Sequence, residues 1–143
     1  MNVLNDKKRT YQEKKLEELH WDLQKWKSNI QFIEDEMLFI NRLLHSYVFE
    51  PRTPNLFERL ELFKRAYDIS KKEKESLKRL ISKYENTIGG ILECTSTICD
   101  FAYYKKHEEL CKRASKHFEN YLKLKSDIYN YAGAILKRKK PTN

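Results

Sequence analysis

The sequence predicts an all-α protein, an antiparallel up-down-up bundle of three long helices with coiled-coil-like packing. Three observations carry that expectation. Apolar residues from Leu16 to Tyr47 recur at alternating spacings of three and four. Pro51, Pro54, Gly89 and Gly90 separate that stretch from two others with the same period. Charged residues make up 35% of the chain, while Gly and Pro number three each. This composition suits long helices with solvated outer faces and not a sheet with many turns.

The first helix carries the plainest pattern: Leu16, Leu19, Leu23, Trp26, Ile30, Ile33, Met37, Ile40, Leu44 and Tyr47. These are the a and d positions of a heptad, a seam that packs along its length against other helices. Asn5 or Asp6 is the expected N-cap. Residues 1–14 are polar and would project or fray. Phe32 and Phe39 lie at position c and Leu43 at g, which widens the apolar face towards a second neighbour. The helix is expected to end near Phe49, because each Pro disfavours helix in the residue before it.

Thr53 and Pro54 read as N-cap and first residue of the second helix. Its stripe is Leu56, Leu60, Phe63 and Tyr67, then Leu77, Ile81, Tyr84, Ile88 and Ile91. Between the blocks the register falls on Ser70 and Lys74. Both should face the neighbourhood of Phe32, with the Lys74 stem along the aromatics and its ammonium in water. The helix either stops at Gly89 as a C-cap or continues to about Cys94.

Thr97 with Asp100 resembles a capping box and starts the third helix. Its stripe is Leu110, Ala114, Tyr121, Leu124, Ile128, Tyr131 and Ile135, widened by Cys111, Phe118 and Ala132. Gly133 weakens it by about 1 kcal/mol relative to Ala. The basic run from Lys137 to Lys140 and then Pro141 closes the helix, leaving 138–143 as a basic tail. The whole of 1–143 reads as a single helical-bundle domain.

The order His20-Trp21-Asp22-x-x-x-Trp26, Asp35-Glu36, Asn41-Arg42-Leu43-Leu44, Glu85 and His107-Glu108-Glu109-Leu110 resembles a group of small all-helical Bacteroidetes proteins of unknown function. Members often read His-aromatic-Glu-His-x-x-Trp in the first helix and His-Glu in the second. Here Leu23 and Tyr84 stand where those two His would be. The resemblance implies the bundle and no activity.

Net charge is +8, spread over Lys along the helices, and dispersed charge mainly keeps a protein soluble. The basic tail and Tyr103-Tyr104-Lys105-Lys106 would give nucleic acid only non-specific, salt-sensitive binding. No secretory signal or apolar span points to a membrane, so the cytoplasm is expected. Three Cys without a CxxC read as reduced thiols, not a disulfide framework. No nucleophile turn or phosphate-cradling loop points to an enzyme. A Cys99 or Cys111 pairing with His107 gives way to the reading of small core residues.

Two kinds of site remain. Glu17 and His20 are three apart, His107 and Cys111 four apart, and Glu85 falls at the same level, a workable set for a divalent metal. A di-iron bundle needs two Glu-x-x-His motifs and this chain has one, so no cofactor is required. If the second helix passes the glycines, His20 and His107 meet at one end of the bundle. The favoured reading is a non-enzymatic bundle that acts through a protein partner or self-association. Trp21 at heptad position f, with Phe32 and Phe39, would supply the contact surface.

Overall fold

The computed structural model describes the backbone of residues 3–49, 56–94 and 96–138, and the side chains from Lys14 onward apart from Thr97 and Arg138. It is an all-α bundle of three helices: α1 (Val3–Leu44), α2 (Leu56–Thr87) and α3 (Thr97–Arg138), with no strand among the described residues. The expected Thr53–Pro54 cap and the tail from Lys139 through Pro141 lie outside the described residues.

The chain divides into two compact units, each built from part of every helix. Unit 1 comprises Met1–Ile30 and Ser76–Ser115, and unit 2 comprises Gln31–Glu75 and Lys116–Asn143. In unit 1, Leu19, Leu23, Trp26 and Ile30 of α1 are buried with Leu77, Ile81 and Tyr84 of α2 and Leu110 and Ala114 of α3. In unit 2, Ile33, Met37, Ile40 and Leu44 join Leu56, Phe63 and Tyr67 and then Tyr121, Ile128 and Ile135. The heptad positions are the buried ones because a period near 3.5 keeps them on one side of a helix.

Contacts in unit 2 fix the helix directions. Lys74 pairs with Glu34 and the Tyr67 hydroxyl donates to the Met37 carbonyl, so α1 and α2 are antiparallel. Glu73 faces His117 and Phe63 meets Tyr131, so α2 and α3 are antiparallel. Tyr121 bonds Glu36 and Tyr129 packs on Phe39, so α1 and α3 run parallel.

Both ends of α1 differ from expectation. The helix begins at Val3, upstream of Asn5 and Asp6, because the Lys, Arg, Glu and Gln that follow are good helix formers. It stops at Leu44, not near Phe49. The Ser46 amide and hydroxyl both bond the Leu43 carbonyl, and the Ser46 hydroxyl accepts the Val48 amide. A 3-10 turn, Tyr47–Phe49, follows and buries Val48 and Phe49. Tyr47, the expected last seam residue, is exposed because the turn rotates it outward.

The second link resolves the two alternatives for the glycines into a third. α2 ends at Thr87 and tightens into a 3-10 segment, Ile88–Glu93, that carries Gly89 and Gly90. Gly90 lies so close to the Tyr103 hydroxyl that an added Cβ would displace that side chain. α3 begins at Thr97 as expected, but Ser96 is the residue before it whose hydroxyl accepts the Cys99 amide, a normal N-cap bond. The expectation of reduced thiols also needs correction, since Cys94 and Cys99 are joined by a disulfide across this turn. Cys111, placed on the apolar stripe by spacing, is a free and exposed thiol.

Candidate functional site

A polar layer crosses unit 1 with one contribution from each helix. Tyr84 follows Leu77 and Ile81 at heptad spacing, which turns it inward, and it is fully buried. His107 precedes Leu110 and Ala114 on the α3 stripe and is only 8% exposed. Asp22 sits beside Leu23, at the edge of the α1 seam. His107 Nε2 lies 2.8 Å from Asp22 Oδ2, and His107 Nδ1 lies 3.1 Å from the Tyr84 hydroxyl. In the neutral ring, Nε2–H donates to the carboxylate, leaving Nδ1 to accept the Tyr84 proton. The Trp26 indole stacks on the imidazole with centroids 5.0 Å apart.

Burial pushes the Tyr84 phenol well above its ordinary value, and the Asp22 charge pushes it further. The phenol therefore remains a donor. Carboxylate, imidazole and phenol in line can hold a proton in place. Both imidazole nitrogens are engaged and the ring is enclosed, so His107 offers no free nitrogen to a metal or substrate.

The expected metal set does not assemble. Glu17, His20 and Cys111 are exposed. Glu85 pairs with Lys27 at 3.1 Å, a partly exposed bridge worth about 0–1 kcal/mol. Of the five residues, only His107 belongs to the layer. Among the described residues no three His, Cys, Asp or Glu side chains converge to hold an ion. The expected level of His107, beside Tyr84, is correct. Its partner on α1 is Asp22, which lies about 200° around the helix from His20 at 100° per residue.

Unit 2 has its own polar layer. Lys74 is 8% exposed, and its ammonium pairs with Glu34 at 3.6 Å instead of reaching water past Phe32. Lys125 covers Phe32, its ammonium 5.7 Å from the ring centroid, and pairs with Glu36 at 2.8 Å. Glu36 also accepts the Tyr121 hydroxyl. Burial and that carboxylate raise the Tyr121 phenol far above its ordinary value. His117 is 3% exposed, and neither ring nitrogen has a hydrogen-bond partner among the described residues. Glu73 Oε2 lies 3.6 Å from Nδ1, too far for a hydrogen bond. His117 is a core residue that a stripe of apolar residues leaves out, although its spacing from Ala114 and Tyr121 continues the three-four alternation.

Burial lowers the His117 pKa, and its lowering outweighs the opposing pull of the Glu73 carboxylate, while Lys74 adds to it. The unfolded chain therefore takes up this proton before the folded one does. The stability is complete above about pH 6.5 and declines as pH falls through the lowered folded value. Melting curves from pH 7.5 down to 5 are expected to show this, at roughly 3–5 °C per kcal/mol lost. His117→Leu should flatten the profile in that window. An unchanged slope would show that other groups set it.

The three expected contact residues are all exposed: Trp21 at 72% in unit 1, and Phe32 and Phe39 at 61% and 56% in unit 2. Unit 2 also has an open cleft of about 410 Å³ lined by Arg59, Phe63, Asp127, Asn130, Tyr131 and Ala134. The Arg59 guanidinium lies over the Tyr131 ring, 5.5 Å from its centroid. Among the described residues no helix is long and apolar enough to cross a membrane. No family model, curated protein or solved structure matches this chain.

Proposed function

We propose that this protein is a non-enzymatic helical bundle of the cytoplasm that works by self-association through an apolar face of α1 and α3. The observation that carries the proposal is the group of exposed aromatic and aliphatic side chains on that face of unit 2. Phe39 packs edge-on against Tyr129, and Lys125 lies over both Phe32 and Tyr129. Leu122 and Leu136 lie seven residues before and after Tyr129, on the same side of α3, and are 58% and 45% exposed. Together they leave on the order of a few hundred Å² of apolar surface open, the size at which a patch marks an interaction site. Unit 1 has an exposed aromatic of its own, Trp21, of the type that dominates binding energy. The enclosed His107 layer also favours an interaction protein, because it holds the helices together without presenting a reactive group.

Sedimentation at micromolar concentration tests the reading. The wild type is expected to sediment above monomer mass. Phe32→Ser with Phe39→Ser should return it to monomer without loss of helix, because both residues are exposed. A wild-type monomer across that range contradicts self-association. Unchanged behaviour in Trp21→Ala would remove the indole from the interface.

A further inference from the structure

We propose that Cys94 and Cys99 form a redox-active pair that undergoes thiol–disulfide exchange with external disulfides and dithiols, with Cys99 as the reactive sulfur. The pair spans the turn between α2 and α3, five residues apart with Cα atoms at 5.5 Å. Contacts other than the bond also hold this turn. The Cys94 amide bonds the Ile91 carbonyl. The Ser96 hydroxyl accepts the Cys99 amide, and the Ser96 carbonyl accepts the Asp100 amide. Gly90 packs directly against the Tyr103 hydroxyl, which joins the α2 side of the turn to α3. The two sulfurs therefore remain neighbours after reduction and can close again, which a reversible pair requires.

The two sulfurs are not equivalent. Cys94 is buried, at 6% exposure, whereas Cys99 is half-buried and can be approached. Cys99 is the third residue of α3, where the first-turn amides and the helix dipole favour a thiolate. The neighbouring Asp100 carboxylate opposes that effect. Burial gives Cys94 no such help, since an apolar environment disfavours the charged sulfur. Leu92, Ile98 and Phe101, exposed at 45%, 82% and 65%, ring the turn with apolar surface suited to an apolar or aromatic disulfide.

In the oxidising direction, the Cys99 thiolate attacks an external disulfide. A mixed disulfide forms and one external thiolate leaves. Cys94 then gives up its proton to solvent and attacks the Cys99 sulfur. The intramolecular bond forms and the second external thiolate departs. Two electrons pass from the protein pair to the external disulfide. An external dithiol reverses each step, becoming the oxidised partner as Cys94 and Cys99 regain their protons.

The test uses the full chain with Cys111→Ser, which removes the exposed third thiol, and 5,5′-dithiobis(2-nitrobenzoate) as the probe. The reduced protein is expected to release two equivalents of thionitrobenzoate, keep no label and retain its helical circular dichroism throughout. Adding Cys94→Ser should give one equivalent and a stable mixed disulfide on Cys99. Adding Cys99→Ser instead should slow the reaction about 10-fold or more. Equal rates for the two single-thiol variants, label retained by the intact pair, or loss of helix on reduction would each overturn the proposal. Repeating the reaction with oxidised glutathione separates a general small-disulfide site from one that needs an aromatic partner. Reaction with either supports exchange, and reaction with neither overturns it.

Discussion

Ile33→Asp is expected to abolish the cooperative thermal transition. Ile33 is 4% exposed, in the core cluster of unit 2 with Met37, Phe63 and Tyr121. A carboxylate there loses its water and meets apolar neighbours. Lys74, a buried cation on α2, already pairs with Glu34. Burying an unpaired charge belongs to the small class of substitutions that cost more than about 4 kcal/mol. That is a large share of the roughly 5–15 kcal/mol available to a domain. Phe32→Asp, one residue earlier, is the control, since Phe32 is 61% exposed and its replacement should change stability by about 0.5 kcal/mol or less. Circular dichroism melting compares the two. Similar melting points for both variants would show that the seam is not the core.

His107→Leu is expected to lower the melting temperature by on the order of 10 °C. The substitution removes the charge-assisted bond to Asp22, the bond to Tyr84 and the Trp26 stack. The Asp22 side chain is 51% exposed and recovers water, so its loss is small. The Tyr84 hydroxyl is enclosed and recovers nothing. An orphaned buried hydroxyl costs about 1–3 kcal/mol, and a hydrogen bond to a charged group contributes about 1.5–3 kcal/mol. With the Asp22 part discounted because that carboxylate is half-exposed, the total is on the order of 2–4 kcal/mol. Tyr84→Phe combined with His107→Leu should be more stable than His107→Leu alone, because the orphaned hydroxyl is gone. A double variant less stable than the single one would show that Tyr84 finds another partner.

The seam of α1 could be read directly because its spacing fixes which residues face inward. Every seam residue from Leu19 to Leu44 is buried. Leu16 is only partly buried, and Tyr47 fails because local bonds at Ser46, not the heptad, decide where the helix stops. The level at which His107 meets Tyr84 could also be counted, because the helical path continues through the glycines, as the 3-10 segment after α2. Counting gives height along a helix and not angle around it, so it points to His20, whereas the residue that meets His107 is Asp22. Hydrophobicity hid His117, and with it the polar layer of unit 2, although the spacing of the α3 stripe passes through it. Phe32 and Phe39 do face a second neighbour, α3, through Lys125 and Tyr129, yet each keeps more than half of its surface open. The Cys94–Cys99 bond depends on how the chain turns from the end of the 3-10 segment into α3, and neither the number of cysteines nor their spacing discloses that path.

His107 sets the register of the three helices in unit 1, and nuclear Overhauser contacts around its ring test that register most directly. Cross-peaks are expected from the His107 ring protons to the Trp26 indole and to the Tyr84 ring, whose centroids lie 5.0 and 5.6 Å away. The exposed His20 ring should show none to His107. Absence of the Trp26 and Tyr84 contacts, with His20 and His107 in contact instead, would contradict the register.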